Sequence, residues 1–309
     1  MCSVVSRFCL LCILCFPCLP SPGSPQARLT PSRWAAVSRA LGVPGEIRGD
    51  VFRVDLASPA GAVSLRGIRL APGAIDSSWV AFGQEASLGW MMGRLLLPAQ
   101  RAESVVGKLV SKGMEVTGVV DPLPGSTPTL SAVYFRGLGE PVALARQLGA
   151  ALGQLLQRPP KPTAIGPAGL DVAALNQVVG SQGVLEPGAW VFRFPRPEAV
   201  KCCGVDQDPL LVYSGIALGP ATGLESRIAF QPAGADSVVV GRFAVRHEEA
   251  SRVEQALSTF GIEMLSLSEP LANEYPRILF LEFFGRGKPL ELAQGVRAAL
   301  ERIHRPPPS

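Results

Sequence analysis

Gly137-Leu138-Gly139-Glu140-Pro141 returns 148 positions later as Gly285-Arg286-Gly287-Lys288-Pro289. The same offset carries Trp79-Val80-Ala81-Phe82 onto Arg227-Ile228-Ala229-Phe230, Gly93-Arg94 onto Gly241-Arg242, and Gly113-Met114-Glu115 onto Gly261-Ile262-Glu263. No gap is needed from position 79 to 152, and about a quarter of the pairs are identical. Shared periodicity can imitate the apolar matches. It does not imitate the glycines and prolines, whose roles depend on the backbone conformation of single positions. The chain is an internal duplication, and that decides its architecture before any local signal does.

The pattern around these anchors is the same in both copies. In the first, Trp34 to Leu41 reads as a short helix, and Val51–Leu56 and Ala62–Leu70 alternate as strands do. Ser78–Phe82 and Leu88–Leu97 follow as strands. Pro98 then opens a helix whose stripe Ala102, Val105, Val106, Leu109 and Val110 ends at Gly113. Met114–Val120 and Leu130–Phe135 read as strands, and a helix runs from Pro141 to Leu156. In the second copy Asp171 caps a helix to Val179. Strands are expected at Ala189–Phe194, Val238–Val245, Ile262–Leu267 and Ile278–Phe284, with helices at His247–Phe260 and Leu290–Ile303. The stretch from Lys201 to Thr222 carries no clear pattern. The fold class is α+β: two tandem units, each a mostly antiparallel sheet with two helices on one face, with a permuted ferredoxin-like arrangement as one form. The units span 31–157 and 170–305, joined by a Pro-rich linker at 158–169 and followed by a tail at 306–309.

The N-terminus is a different kind of sequence. Met1 to Arg7 has one cation and no acid, Phe8 to Leu19 is apolar, and Pro20 to Ala27 is small and Pro-rich. That is the layout of a secretory signal peptide over residues 1–27, too short to span a bilayer comfortably. Export to a periplasm, envelope or medium is the expectation, with no transmembrane span left in the mature chain. Cys2, Cys9, Cys12, Cys15 and Cys18 lie in this leader. A lipid anchor on one of them is not favoured, because Phe8, Leu11, Leu14 and Pro17 precede the later four where a small residue is wanted. Cys202-Cys203 remains. Such a pair can close a strained disulfide in an oxidising compartment, or serve as two small apolar residues on a strand edge; the second is the favoured reading. No Cys/His spacing suggests a structural metal site. A formal charge of only +4, without a basic run among aromatics, argues against nucleic acid as a partner.

The stretch Ser77-Ser78-Trp79-Val80-Ala81-Phe82, then Met92-Gly93, together with Gly261-Ile262-Glu263, Tyr275-Pro276-Arg277-Ile278 and Gly285-x-Gly287-x-Pro289, resembles the LppY/LpqO lipoprotein family. Leu170-Asp171-Val172-Ala173-Ala174-Leu175-Asn176 resembles that family's entry to the second unit. The resemblance covers nearly all of the mature chain. It implies a mostly bacterial, exported protein without a settled biochemical function. The family pattern has a His-Asn-His stretch after the Gly-Ile-Glu strand, a His on the next strand, and Met-Gly-Asp. Here those places hold Ser268-Glu269-Pro270 and Val120-Asp121-Pro122, then Glu282 and Tyr134, then Gly93-Arg94 and Gly241-Arg242. If histidines carry the family's chemistry, this chain has lost it; its own His247 and His304 fall on or beside helices.

The candidate site residues follow from these departures. Arg242, Glu269, Glu282 and Arg286 are expected at adjacent strand ends, where carboxylate and guanidinium can hold a polar ligand. Arg94 joins them as the repeat's equivalent of Arg242, and Trp79 as an aromatic that can floor a pocket between the units. Ordinary surface ion pairs would explain the same residues. Paired carboxylates do acid–base work only where burial splits their pKa values, which a sequence does not display. Gly285–Pro289 can present amides to an anion with Arg286 and Lys288, but a tight turn with Pro at the first helical position explains it as well. Trp79, Phe82, Trp90 and Phe230 can floor a pocket between the units or simply belong to the core. No serine lies in a nucleophile elbow. The expectation is a non-catalytic exported protein that binds a small molecule or an envelope partner in the cleft between its units, with no cofactor and no catalytic or metal-ligating residue. The alternatives are a metal-assisted enzyme using carboxylates in place of the histidines, or a structural envelope component. Neither the ligand nor the oligomeric state is encoded in any motif.

Overall fold

The fold was obtained as a computed structural model that describes residues 31–57, 61–85, 88–159, 166–202 and 215–303. The first unit runs α1 (Pro31–Leu41), β1 (Glu46–Arg48), β2 (Val51–Leu56), β3 (Ser64–Leu65), β4 (Ile68–Arg69), β5 (Ser78–Glu85), β6 (Leu88–Pro98), α2 (Ala99–Ser111), β7 (Glu115–Val120), β8 (Ser126–Thr127), β9 (Leu130–Leu138) and α3 (Pro141–Leu152). The second runs α4 (Val172–Val179), β10 (Val184–Glu186), β11 (Ala189–Pro195), β12 (Val200–Cys202), β13 (Ile216–Leu218), β14 (Glu225–Ala233), β15 (Asp236–Val245), α5 (His247–Ser258), β16 (Ile262–Ser268), β17 (Glu274–Tyr275), β18 (Leu279–Gly287) and α6 (Pro289–Ile303).

Each unit builds a six-stranded sheet. The order is β1-β2-β5-β6-β9-β7 in one and β10-β11-β14-β15-β18-β16 in the other, with neighbouring strands antiparallel throughout. Four contiguous strands of each, β5-β6-β9-β7 and β14-β15-β18-β16 in spatial order, carry the helices: α2 follows β6 and α3 follows β9, as α5 follows β15 and α6 follows β18. That is a ferredoxin-like unit permuted so that its last strand comes first. The expected α+β class with two similar units therefore holds, with a third helix on each helical face.

Strand parity shows how the two sheets sit. Along β6, Trp90, Met92 and Leu96 enter one apolar core, while Met91, Leu95 and Leu97 enter another. Along β15, Val238, Val240 and Ala244 join the core of Trp90, while Val239, Phe243 and Val245 pack under α4, α5 and α6. The shared core lies between the sheets and draws on both units. The molecule is four layers, helices–sheet–sheet–helices, and both faces of each central strand are buried. This is why Leu95-Leu96-Leu97 and Val238-Val239-Val240 read as continuous apolar runs and not as alternation.

Local signals explain most boundaries. Pro98 sits just before α2, and Pro141 and Pro289 start α3 and α6, where the missing N–H is not needed. Asp171 Oδ1 accepts from Ala174 N at 3.0 Å and caps α4. Three readings are corrected. Ala62–Leu70 is not one strand but the tight pair β3–β4, turned at Arg66 and Gly67, both with positive φ. Glu225–Ala233 is a full strand that periodicity did not single out, because its inward positions alternate Arg227 and Gln231 with only the small Ala229 and Ala233. Cys202 is buried on β12 and disulfide-bonded, contrary to the favoured reading of the pair as plain apolar residues. The leader with its five cysteines, Cys203, His304, most of the linker and the tail lie outside the described residues. Among the described residues no helix is long and apolar enough to cross a membrane.

Candidate functional site

The units clasp each other through matched segments. The turn Pro72–Ala74 precedes β5, and the turn Pro220–Thr222, 148 residues later, precedes β14. The first lies over the second unit: Gly73 N donates to Pro187 O at 2.9 Å, and Arg227 donates to the carbonyls of Gly73 and Ala74. Glycine is required there, since a Cβ on residue 73 would stand 2.7 Å from the Glu186 side chain. The second turn lies over the first unit, where Arg53 Nη1 donates to Ala221 O at 2.9 Å and its guanidinium stacks on Trp79 at 4.7 Å.

Between the clasps the inward-facing parity positions switch from apolar to charged. Arg94 on β6 and Arg242 on β15, equivalent by the repeat, are 2% and 4% exposed. Arg94 Nε donates to Tyr134 Oη at 3.1 Å and Nη1 to Ser77 O at 3.1 Å. Arg242 Nη2 donates to Gly223 O at 2.8 Å, and its guanidinium lies 4.7 Å over Phe280. Both share one carboxylate, Asp76, with Oδ2 at 2.6 Å from Arg242 Nη1 and 3.4 Å from Arg94 Nη1. Arg227 pairs with Glu186 at 2.9 Å. Glu282 stands opposite Arg242 in the β15–β18 ladder, as Tyr134 stands opposite Arg94 in β6–β9. Among the described residues Glu282 makes no ion pair within 4 Å.

These surroundings drive the two carboxyls apart. Burial alone would raise Asp76, but Arg242, Arg94 and Arg227 outweigh it and hold this acid well below the carboxylate range. Glu282 lacks such a partner. Burial pushes it up to about 7, against the pull of Arg242 and Arg94. The residues surround a small cavity of about 30 Å³ lined by Asp76, Arg94, Arg227, Arg242 and Glu282 on one side and Leu96, Leu123 and Val240 on the other. That is room for one or two water-sized groups. Arg227 Nε and Arg242 Nε and Nη1 are buried there without a hydrogen-bond acceptor, although Nη1 is ion-paired with Asp76.

Of the residues expected from sequence, Arg94, Arg242 and Glu282 come together, mid-strand and buried, not at strand ends. Trp79 is next to them: it pairs with Arg94 across β5–β6 and is covered by Arg53. Glu269 and Arg286 do not join. Glu269 pairs with Arg277 at 3.2 Å near the surface, and Arg286 and Lys288 both reach Asp236, at 3.6 and 3.4 Å. Their acid partner ties them into the turn before α6 and takes away the free cations an anion there would need. Phe82 and Phe230 lie in the two outer cores, while Trp79 and Trp90 lie between the sheets, so they floor no common pocket. Asp76 and Arg227 were missed. Arg227 had only its alignment with Trp79 by the repeat, since Glu225 and Ser226 before it break the apolar pattern. Asp76 sits in a loop and had none.

The fold and cluster define a tandem-repeat α+β protein whose two halves enclose a buried arginine–carboxylate site. The chain belongs to the family described as Domain of Unknown Function (DUF1259), whose model matches twice, over residues 35–154 and 173–302. No curated protein matches it.

Proposed function

We propose that this is an exported, non-catalytic binding protein, a divergent LppY/LpqO-like member of its family, that holds a small anion in the cavity between its units. One observation carries the reading: Nε of Arg227 and Nε of Arg242 are buried without a hydrogen-bond acceptor in two residues that line the small cavity, and such donors are costly to leave unmade. A carboxylate-sized anion satisfies them. Protonated Glu282 adds a donor, so affinity rises as pH falls through about 7.

A metal-assisted enzyme fits the residues poorly. Three guanidinium charges repel a divalent cation, and among the described residues no group of three or more His, Cys, Asp or Glu side chains converges. The separation of Asp76 from Glu282 in pKa favours a second reading, acid–base catalysis by Glu282. That reading requires Glu282→Gln to abolish a turnover found by substrate screening while anion binding survives. The third reading, a structural component, places only water in the cavity.

Calorimetry and thermal unfolding with formate, acetate and bicarbonate test the proposal. Saturable binding that is stronger at pH 6 than at pH 8, and lost in Arg242→Met, supports it. No saturable binding by any of the three up to about 10 mM, a binding free energy weaker than about −3 kcal/mol, sinks it. Sequencing the N-terminus of the protein from the exported fraction tests export and the cleavage point.

A further inference from the structure

A second concavity lies on the outer, helical face of the first unit, far larger than the inter-unit cavity at about 720 Å³, within the range of small-molecule sites. It opens between α2 and the end of α3. Its floor is apolar, with Val105, Ala151 and Leu152. Its wall carries Arg101, Lys108 and Lys112, which with Val105 fall on one stripe of α2 at helical spacing. No carboxylate is among its described lining residues, and none of the three cations is paired with a described acid. The helix does not account for them all. Lys108 and Lys112 suit the C-terminal end of a helix dipole, but Arg101 lies in the first turn, where a cation is disfavoured.

The repeat shows that this face departs from its twin. The equivalents of Arg101, Lys108 and Lys112 are Glu249, Ala256 and Phe260. In the second unit Gly295 of α6 lies so close to the end of α5 that a Cβ would stand 2.8 Å from Phe260 Cβ. In the first unit Gln147 and Lys112 occupy those places, both exposed. The first unit thus has an open basic groove where the second closes glycine against phenylalanine.

We infer that the groove bounded by Arg101, Lys108 and Lys112 binds an anionic amphiphile: a phosphate or carboxylate head on the cations, with an apolar body over Val105, Ala151 and Leu152. The full-length chain is titrated by calorimetry with monomeric dodecyl phosphate, with inorganic phosphate, and with neutral octyl glucoside. One-to-one binding of dodecyl phosphate is expected, clearly tighter than either control. Lys108→Glu/Lys112→Glu should weaken it at least about tenfold, with only a small loss in thermal unfolding, since both side chains are exposed and give up no more than their favourable place at the helix C-terminus. Arg252→Glu, on the matching helix of the second unit, should leave it unchanged. Vesicles of phosphatidylglycerol separate the sources: binding to both vesicle and monomer with the same charge dependence assigns a membrane lipid, and binding to the monomer alone assigns a free amphiphile. Equal affinity in the Lys108→Glu/Lys112→Glu protein, equal binding of octyl glucoside, or no binding of dodecyl phosphate at about 1 mM overturns the proposal.

Discussion

The two units share a fold, a strand order and an inward-facing arginine on the same strand, yet they solve the burial of that arginine differently. Arg94 is opposite Tyr134, a neutral hydroxyl that accepts from its Nε. Arg242 is opposite Glu282, which does not pair with it, and takes its counter-charge from Asp76 of the other unit. Leu224 stands where a second Asp76 would be. One carboxylate from the first unit therefore serves two guanidiniums, one from each unit. A duplicated scaffold keeps its apolar layers by repetition, but a buried charge on the shared face has to be balanced across both copies at once, and there the copies diverge.

That contrast can be broken most severely at Asp76. Asp76→Ala leaves Arg94 and Arg242 facing each other without their shared counter-charge and should cost about 4 kcal/mol by urea unfolding, whereas Leu224→Ala should cost an ordinary core truncation of about 3 kcal/mol. An Asp76→Ala loss under about 1 kcal/mol would show that the arginines find another acceptor.

The paired glycines sharpen it next. A Cβ at Gly241 would lie 2.1 Å from the Arg227 carbonyl oxygen, against backbone, while one at Gly93 would meet the Phe135 ring at 2.3 Å. Gly241→Ala should destabilise by about 3 kcal/mol or more and Gly93→Ala by less, since a ring can rotate and a paired strand cannot retreat. Equal losses would mean the two strand pairs yield alike.

Glu282 against Tyr134 gives a comparison in pH. The folded pKa of Glu282 is raised above its unfolded value of 4.5, so between about 4.5 and 7 the folded state binds more proton than the unfolded one. Stability from this group is thus greatest below the lower value and falls as pH rises to about 7. Glu282→Gln removes that fall and should gain roughly 3 kcal/mol above pH 8 with little change at pH 4. Tyr134→Phe should lose about 1 kcal/mol, equally at pH 5 and pH 8. Parallel pH profiles for wild type and Glu282→Gln would refute the shift.

The smallest difference sits at the start of the last helix of each unit. Glu140 accepts from Ala143 N at 2.8 Å and caps α3, whereas its counterpart Lys288 has no acceptor to offer α6. Glu140→Ala should cost about 1 kcal/mol and Lys288→Ala close to none, measured by thermal unfolding.

Much of this was legible in the sequence, for particular reasons. Glycine and proline anchors at a constant offset gave the duplication, and capping and proline signals placed the helices within a few residues. The site was legible in part. Gly93-Arg94, Gly241-Arg242 and Glu282 each put a charge inside an apolar run, the mark of a strand covered on both sides. Their depth was not legible, since burial of the second strand face comes from the other unit. Glu269 and Arg286 were grouped with them because neighbouring strands suggest neighbouring side chains. Glu269 lies beyond β16, beside Arg277, and Arg286 lies near the far end of β18, beside Asp236.

The reciprocal clasp of Pro72–Ala74 and Pro220–Thr222 also has a bearing on descent. Two copies of an ancestral half could have met as a symmetric pair, each lending its turn to its neighbour. Fusion and drift have since made the halves complementary rather than alike. Two first halves would bring two Asp76 carboxylates to one centre, and two second halves would bring two Arg242 and two Glu282 with no Asp76 at all. The present centre, one Asp76 between Arg94 and Arg242, forms only from one half of each kind.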